Sequence, residues 1–148
     1  MKMENDKMLY LDTNVAIGLM HGDFEIEKLI SKARPNDCLA ITSISMYEIY
    51  SGLFILQYMK KSKKSKTYID KEAESIERLK NALIQVDFST KAAKKSSELY
   101  FSLASSGETI ELFDCMIAGT ILAQGDKDVL TQNVDHFIRI KELNVISI

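Results

Sequence analysis

Apolar residues fall along this chain in two alternating rhythms, and the alternation predicts strands separated by helices. Short unbroken runs at Met8–Leu11, Leu39–Thr42, Ile84–Phe88, Val129–Thr131 and Val145–Ile148 read as buried strands. Between them the spacing predicts helices over Thr13–Met20, Phe24–Ala33, Ser43–Lys60 and Tyr68–Leu83, one running from Ser89 or Thr90 toward Ser106-Gly107, and two more over Leu112–Gln124 and Val134–Ile140. Arg34-Pro35 stops the second helix, because a proline disfavours the helical conformation in the residue before it. In Tyr68–Leu83, Ile69, Ala73, Ile76, Leu79 and Leu83 recur at spacings of three and four with charges between them. Gly125-Asp-Lys-Asp128 makes a turn. Strands that alternate with helices pair in parallel and are covered on both faces, so the expected fold is a three-layer α/β/α arrangement around a parallel sheet of about five strands, in a single domain over residues 1–148.

Composition narrows the function classes. Of 148 residues, 46% are apolar and 27% charged, an ordinary globular balance. With 19 basic and 21 acidic side chains the formal net charge is −2, which gives no basic coat for nucleic acid; a polyanion would have to be bound locally or through a metal. Met1 to Asn5 is polar, and no apolar run approaches the roughly 20 residues that span a bilayer, so a cytoplasmic location without membrane attachment is expected. Cys38 and Cys115 lie far apart with no Cys-x-x-Cys spacing and are expected to be buried small hydrophobes. Only His21 and His136 are present, which argues against histidine-based zinc chemistry and leaves oxygen ligands.

The acids stand at telling places. Asp12 follows the first strand at the start of a helix, and in an open parallel sheet ligands bind at the carboxyl ends of the strands. Glu48 and Asp114 are expected to open later helices, and Asp135 follows the strand at Val129–Thr131. Each has a plainer reading. Asp12 could cap a helix, Ser45-Met-Tyr-Glu48 matches a capping box, Asn133 could cap the helix over Val134–Ile140, and Asp135 could complement that helix's dipole. Against this, Glu48 shares a helix face with Ile44, Gly52 and Ile55, which predicts a packed side. Asp114 heads the stripe Ile117, Ala118, Ile121, Leu122, where an acid is costly unless paired, hydrogen-bonded or metal-bound. Together the four acids suggest a carboxylate cluster around a hard cation. The lysine-rich run Lys60-Lys-Ser-Lys-Lys-Ser-Lys66 reads either as a solvated connector or, through Lys60, Lys61, Lys63 and Lys64, as a phosphate-steering patch at the rim of the acidic cleft.

These residues resemble the PIN domain family, in particular its VapC-type toxin ribonucleases, over essentially the whole chain. Leu11-Asp12-Thr13-Asn14 resembles the first acid motif, Tyr47-Glu48-Ile49 the second, and Phe113-Asp114-Cys115-Met116-Ile117-Ala118-Gly119 the third. Leu130-Thr131-Gln132-Asn133-Val134-Asp135-His136-Phe137 is similar to the closing Thr-x-Asn segment, with Asn133 and His136 at the positions where relatives carry the fourth acid and Asp135 beside them. The resemblance implies Mg²⁺- or Mn²⁺-dependent hydrolysis of RNA phosphodiesters, leaving 3′-hydroxyl and 5′-phosphate ends. It implies Asp12 and Asp114 as metal ligands, Glu48 as a ligand or orienter of water, Asp135 as a further carboxylate, and Asn14, Thr131 and Asn133 in support. It also implies a homodimer and a cognate antitoxin. The helix after Ser45 is apolar nearly all round, so another chain is expected to cover part of it. His136 is expected to be packed or solvent-facing. The alternative of another class is a non-catalytic PIN-like module that binds RNA or protein. An aspartyl-phosphate phosphatase needs a second acid two residues after the first, where this chain has Asn14.

Overall fold

The computed structural model describes residues 7–148, so Met1–Asn5 lie outside the described residues. Its strands are β1 (Met8–Leu11), β2 (Cys38–Thr42), β3 (Ile84–Val86), β4 (Asp128–Thr131) and β5 (Asn144–Ser147). They form one five-stranded sheet in the order β3-β2-β1-β4-β5, and every pairing is parallel. The helices are α1 (Thr13–Met20), α2 (Ile26–Ile30), α3 (Ser43–Tyr58), α4 (Lys66–Ala82), α5 (Thr90–Ser105), α6 (Leu112–Ala123) and α7 (Val134–Phe137).

The central strand explains the layering. Side chains alternate across a strand, so β1 sends Leu9 and Leu11 into one core and Met8 and Tyr10 into another. The first core is closed by Val15 and Ala16 of α1, Leu29 of α2, Met46, Ile49 and Leu53 of α3, and Ile76 and Leu79 of α4. The second is closed by Ile117 and Ile121 of α6 and Phe137 of α7. All four β1 residues are buried, which accounts for a run of apolar residues with no polar face. Outside α6 lies α5, packed through Leu99 on Cys115 and Ala118.

Topology creates the crevice. The chain leaves β1 toward β2 and β3, then crosses through α5 and α6 to β4 on the other side of β1. Neighbouring connections therefore diverge between the carboxyl ends of β1 and β4, the position where open parallel sheets bind ligands.

Several boundaries differ from expectation for local reasons. α2 covers only Ile26–Ile30, because Glu25 supplies no side-chain cap and the chain turns through Asn36 at φ 71° before β2. α4 starts two residues early, at Lys66, since the Ser65 hydroxyl accepts a hydrogen bond from Tyr68 N at 3.2 Å. α7 is a four-residue turn of helix, shorter than Val134–Ile140. Among the described residues, no helix is long and apolar enough to cross a membrane.

Candidate active site

Asp12 joins strand to helix. Its backbone N–H donates to Leu130 O at 2.9 Å, continuing the β1–β4 pairing, and its carboxylate caps α1 by accepting Thr13 N–H at 2.8 Å on Oδ1. Oδ2 accepts the Thr131 hydroxyl at 2.8 Å, and Thr131 Oγ1 accepts Asn133 N–H at 2.9 Å. The plain capping role and a functional role thus coexist, since a carboxylate has about four lone-pair sites and two are used. Only 5% of Asp12 is exposed. Burial raises its pKa, opposed by the hydrogen bonds from Thr131 and Thr13.

Glu48 reaches the same crevice from α3. The helix is capped by Thr42, whose Oγ1 accepts Ser45 N–H at 3.2 Å, so the expected Ser45–Glu48 capping box does not form and Glu48 sits in the second turn instead of opening the helix. Of the face expected to pack beside it, Ile44 lies against the second core but Gly52 and Ile55 are exposed, and the buried line runs through Ser45, Met46, Ile49 and Leu53. What holds Glu48 is Thr13, whose hydroxyl donates to Oε1 at 2.7 Å while lying 2.9 Å from Ser45 Oγ. A hydroxyl has one proton, and the carboxylate takes it, so Ser45 must donate to Thr13. Burial raises the Glu48 pKa; the Thr13 bond opposes this, and the charges of Asp12 and Glu111 add to it.

Asp114 lies in the first turn of α6, above the buried Ile117, Ala118 and Ile121. Its pKa is pushed up to about 6, chiefly by burial and then by the charge of Asp12, against the opposing influence of His136. His136 Nδ1 stands 2.9 Å from Asp114 Oδ2. The histidine expected to be packed or solvent-facing is therefore paired with an acid of the cluster, although half of its side chain remains exposed. Cys115, one position on, turns into the core, where burial pushes its thiol up to about 11. Cys38 is only partly buried.

The remaining expected residues separate. Asp135 is exposed and lines a cavity of about 230 Å³ beside Asp114 and His136. Asn133 begins α7 without a side-chain capping bond, contrary to expectation; its backbone N–H serves Thr131. Asn14 is exposed, and the neighbour that bridges to the site is Thr13. Lys60, Lys61, Lys63 and Lys64 are exposed beyond the end of α3, which travels about 15 Å from Glu48 to Tyr58, away from the crevice. They do not line the cavity at Asp114.

Four residues beside these acids were not anticipated from the sequence: Thr13 and Ser45, which hold Glu48, and Glu111 and Arg139, which line the cavity with Asp114. Thr13 was legible from its place beside Asp12, and Glu111 from lying one helical turn before Asp114. Ser45 was marked only as a helix cap, and nothing local marks Arg139.

The donor set suits a hard divalent cation. Asp12, Glu48 and Asp114 offer only carboxylate oxygens, and burial raises the pKa of each, with neighbouring carboxylate charge adding to the rise at Glu48 and Asp114, the state a bound cation would relieve. Thr13, Thr131 and His136 each engage one oxygen and leave Asp114 Oδ1 and Glu48 Oε2 available. Among the described residues, however, no three acidic, cysteine or histidine side chains are already drawn together as a ligand sphere. The acids are coupled to one another by charge.

Comparison with solved structures gives the same fold. The chain superposes on VapBC-1 from nontypeable Haemophilus influenzae with TM-score 0.76 at 24% identity, covering 95% of this chain and 97% of the other. For VapBC2 from Rickettsia felis bound to a DNA fragment from its promoter, the values are 0.75 and 23%, over 95% and 98%. VapBC-5 from Mycobacterium tuberculosis gives 0.67 and 19%, over 95% and 98%. No curated protein matches. The sequence model of the PIN domain matches residues 9–143, a span that includes all three acids and reaches every strand but the edge strand β5; the chain belongs to the PIN domain family.

Proposed function

We propose that this protein is a metal-dependent endoribonuclease that hydrolyses RNA phosphodiester bonds, and that it is the toxin of a VapBC-type toxin–antitoxin pair. The observation that supports the reading is that Asp12, at the end of β1, is coupled by charge to both Glu48 and Asp114, with the adjacent Thr13 bonded to Glu48. In this reading Asp12 and Asp114 hold Mg²⁺ or Mn²⁺, which would polarise the phosphoryl group and offset its developing charge. Thr13 and Thr131 fix the Asp12 carboxylate between two donors, so its free lone pairs keep one direction. Glu48, steadied by Thr13 and Ser45, orients water or contributes a ligand. His136 holds one oxygen of Asp114, and Asp135 is an outlying carboxylate.

The toxin part rests on likeness to VapBC structures and on one surface. Along α3, Phe54 is 46% exposed, Ile55 48% and Tyr58 70%, with Phe54 lying against both Tyr50 and Tyr58. A stripe of that kind favours a covering chain, a second copy or an antitoxin.

The acids' lack of a ready ligand sphere favours a second reading, a non-catalytic module that binds RNA or protein. One assay separates them. Purified protein is expected to cleave RNA with Mg²⁺, to stop in EDTA, and to lose more than about 100-fold in rate on Asp12→Asn while staying folded. Cleavage unchanged by both EDTA and Asp12→Asn would refute the nuclease assignment; RNA binding without cleavage would support the module.

A further inference from the structure

The cavity beside Asp114 contains a cation whose charge is not spent on the acids around it. Arg139 lines that cavity of about 230 Å³ together with Glu111, Asp114, Asp135 and His136, and among the described residues it is the only lysine or arginine that does so. Its Nη1 donates to Thr109 O at 2.9 Å, a backbone contact that anchors the guanidinium without neutralising it. Among the described residues it forms no ion pair, although three carboxylates share the cavity. A guanidinium carries five N–H donors in a planar fork, so most of them remain for an incoming group, and the fork matches phosphate oxygens. An RNA strand entering a crevice of acids needs a local cation, because the chain's net charge of −2 supplies no general attraction. The lysines of the 60–64 segment stand at the far end of α3.

Building on the nuclease reading, we propose that Arg139 is a substrate-binding residue that grips a backbone phosphate of the RNA in the cavity beside Asp114, and that Lys60, Lys61, Lys63 and Lys64 do not. The Thr109 carbonyl sets the direction of the fork.

Binding of a short fluorescent single-stranded RNA to the cleavage-deficient Asp12→Asn protein, measured by anisotropy against salt in Mg²⁺, tests this. Adding Arg139→Met is expected to weaken binding roughly tenfold and to lower the salt slope by about 0.7 to 1, the loss of one phosphate contact. Arg139→Lys should keep the slope and recover part of the affinity. Replacing Lys60, Lys61, Lys63 and Lys64 by serine should leave the slope unchanged. In the active protein, Arg139→Met should raise KM more than it lowers kcat. An unchanged slope with unchanged KM overturns the role of Arg139 while leaving the nuclease standing. So does a weakened affinity that Arg139→Lys does not recover and that tracks a lowered melting temperature, since that marks a structural clip to Thr109. Failure of the unmodified protein to cleave or bind any RNA would instead remove the nuclease reading itself.

Discussion

At the scale of single residues, the acids differ in what the fold asks of them. Asp12 has both carboxylate oxygens engaged and Asp114 has one, whereas Asp135 is exposed. Asp114→Asn should therefore cost more than about 100-fold in Mg²⁺-dependent cleavage, and Asp135→Ala clearly less. Equal losses in steady-state rates would put Asp135 on the ion itself. Thr13 is a sharper case, because its hydroxyl ties Glu48 to Ser45. Thr13→Val keeps the shape and removes the donor, leaving a partly buried carboxylate unheld. It should lower stability by about 1–3 kcal/mol, or roughly 2–4 °C in melting temperature per kcal/mol, and slow cleavage as Glu48 loses its orientation. A Thr13→Val protein as stable in calorimetry as the unmodified one, with Thr13→Ser destabilised, would show that the methyl group and not the hydroxyl matters.

At the scale of elements, the α5–α6 contact is the tightest. A Cβ on Gly119 of α6 would fall 2.8 Å from both the Cα and the backbone N of Ser96 in α5, so the helices approach as closely as they do only because that position has no side chain. Gly119→Ala must push α5 outward and should cost about 1–3 kcal/mol, read from chemical denaturation. Ser96 Oγ is buried there without a hydrogen bond, so Ser96→Ala should be neutral or stabilising; a large loss would reveal a partner for the hydroxyl. On α3 the exposed Phe54 and Tyr58 contribute little to their own core. Phe54→Glu should leave the melting temperature nearly unchanged and shift sedimentation toward the monomer, or abolish capture by a cognate antitoxin.

At the scale of the whole molecule, the raised carboxyls of the acid crevice make stability depend on pH, and under the proposed function on metal as well. The Asp114 carboxyl, raised to about 6, binds protons in the folded state that the unfolded chain has released above roughly pH 4. More protons on the native state means that stability falls as pH rises through that window, and the raised Asp12 and Glu48 act in the same direction. In EDTA the melting temperature should therefore decline between pH 4.5 and 7, with a shallower decline in Asp114→Asn. Mg²⁺ should restore more stability at pH 7 than at pH 4.5, since it competes with protons for the same oxygens. A melting temperature in EDTA that rises over this range in the unmodified protein relative to Asp114→Asn would contradict the charge coupling.

Much of this was already written in local pattern. Apolar runs such as Met8–Leu11 can be satisfied only by burial on both faces, which is why the parallel sheet and the positions of Asp12 and Asp114 at element junctions were legible from the chain. Boundaries set by single hydroxyls were not: Ser65 extends α4, and Thr42 takes the cap that Ser45-Met-Tyr-Glu48 suggested for another residue. The fourth-acid corner was decided by packing, which turns His136 onto Asp114 and leaves Asp135 in the open. The lysine run lies near Glu48 in sequence, yet a rigid helix carries it away, while Arg139, twenty-five residues after Asp114, comes back beside it. Residue type and spacing determine which groups are available, because hydrophobic burial and backbone pairing act locally; which of them share a charge or a proton depends on distances that exist only once the sheet order has folded remote segments together.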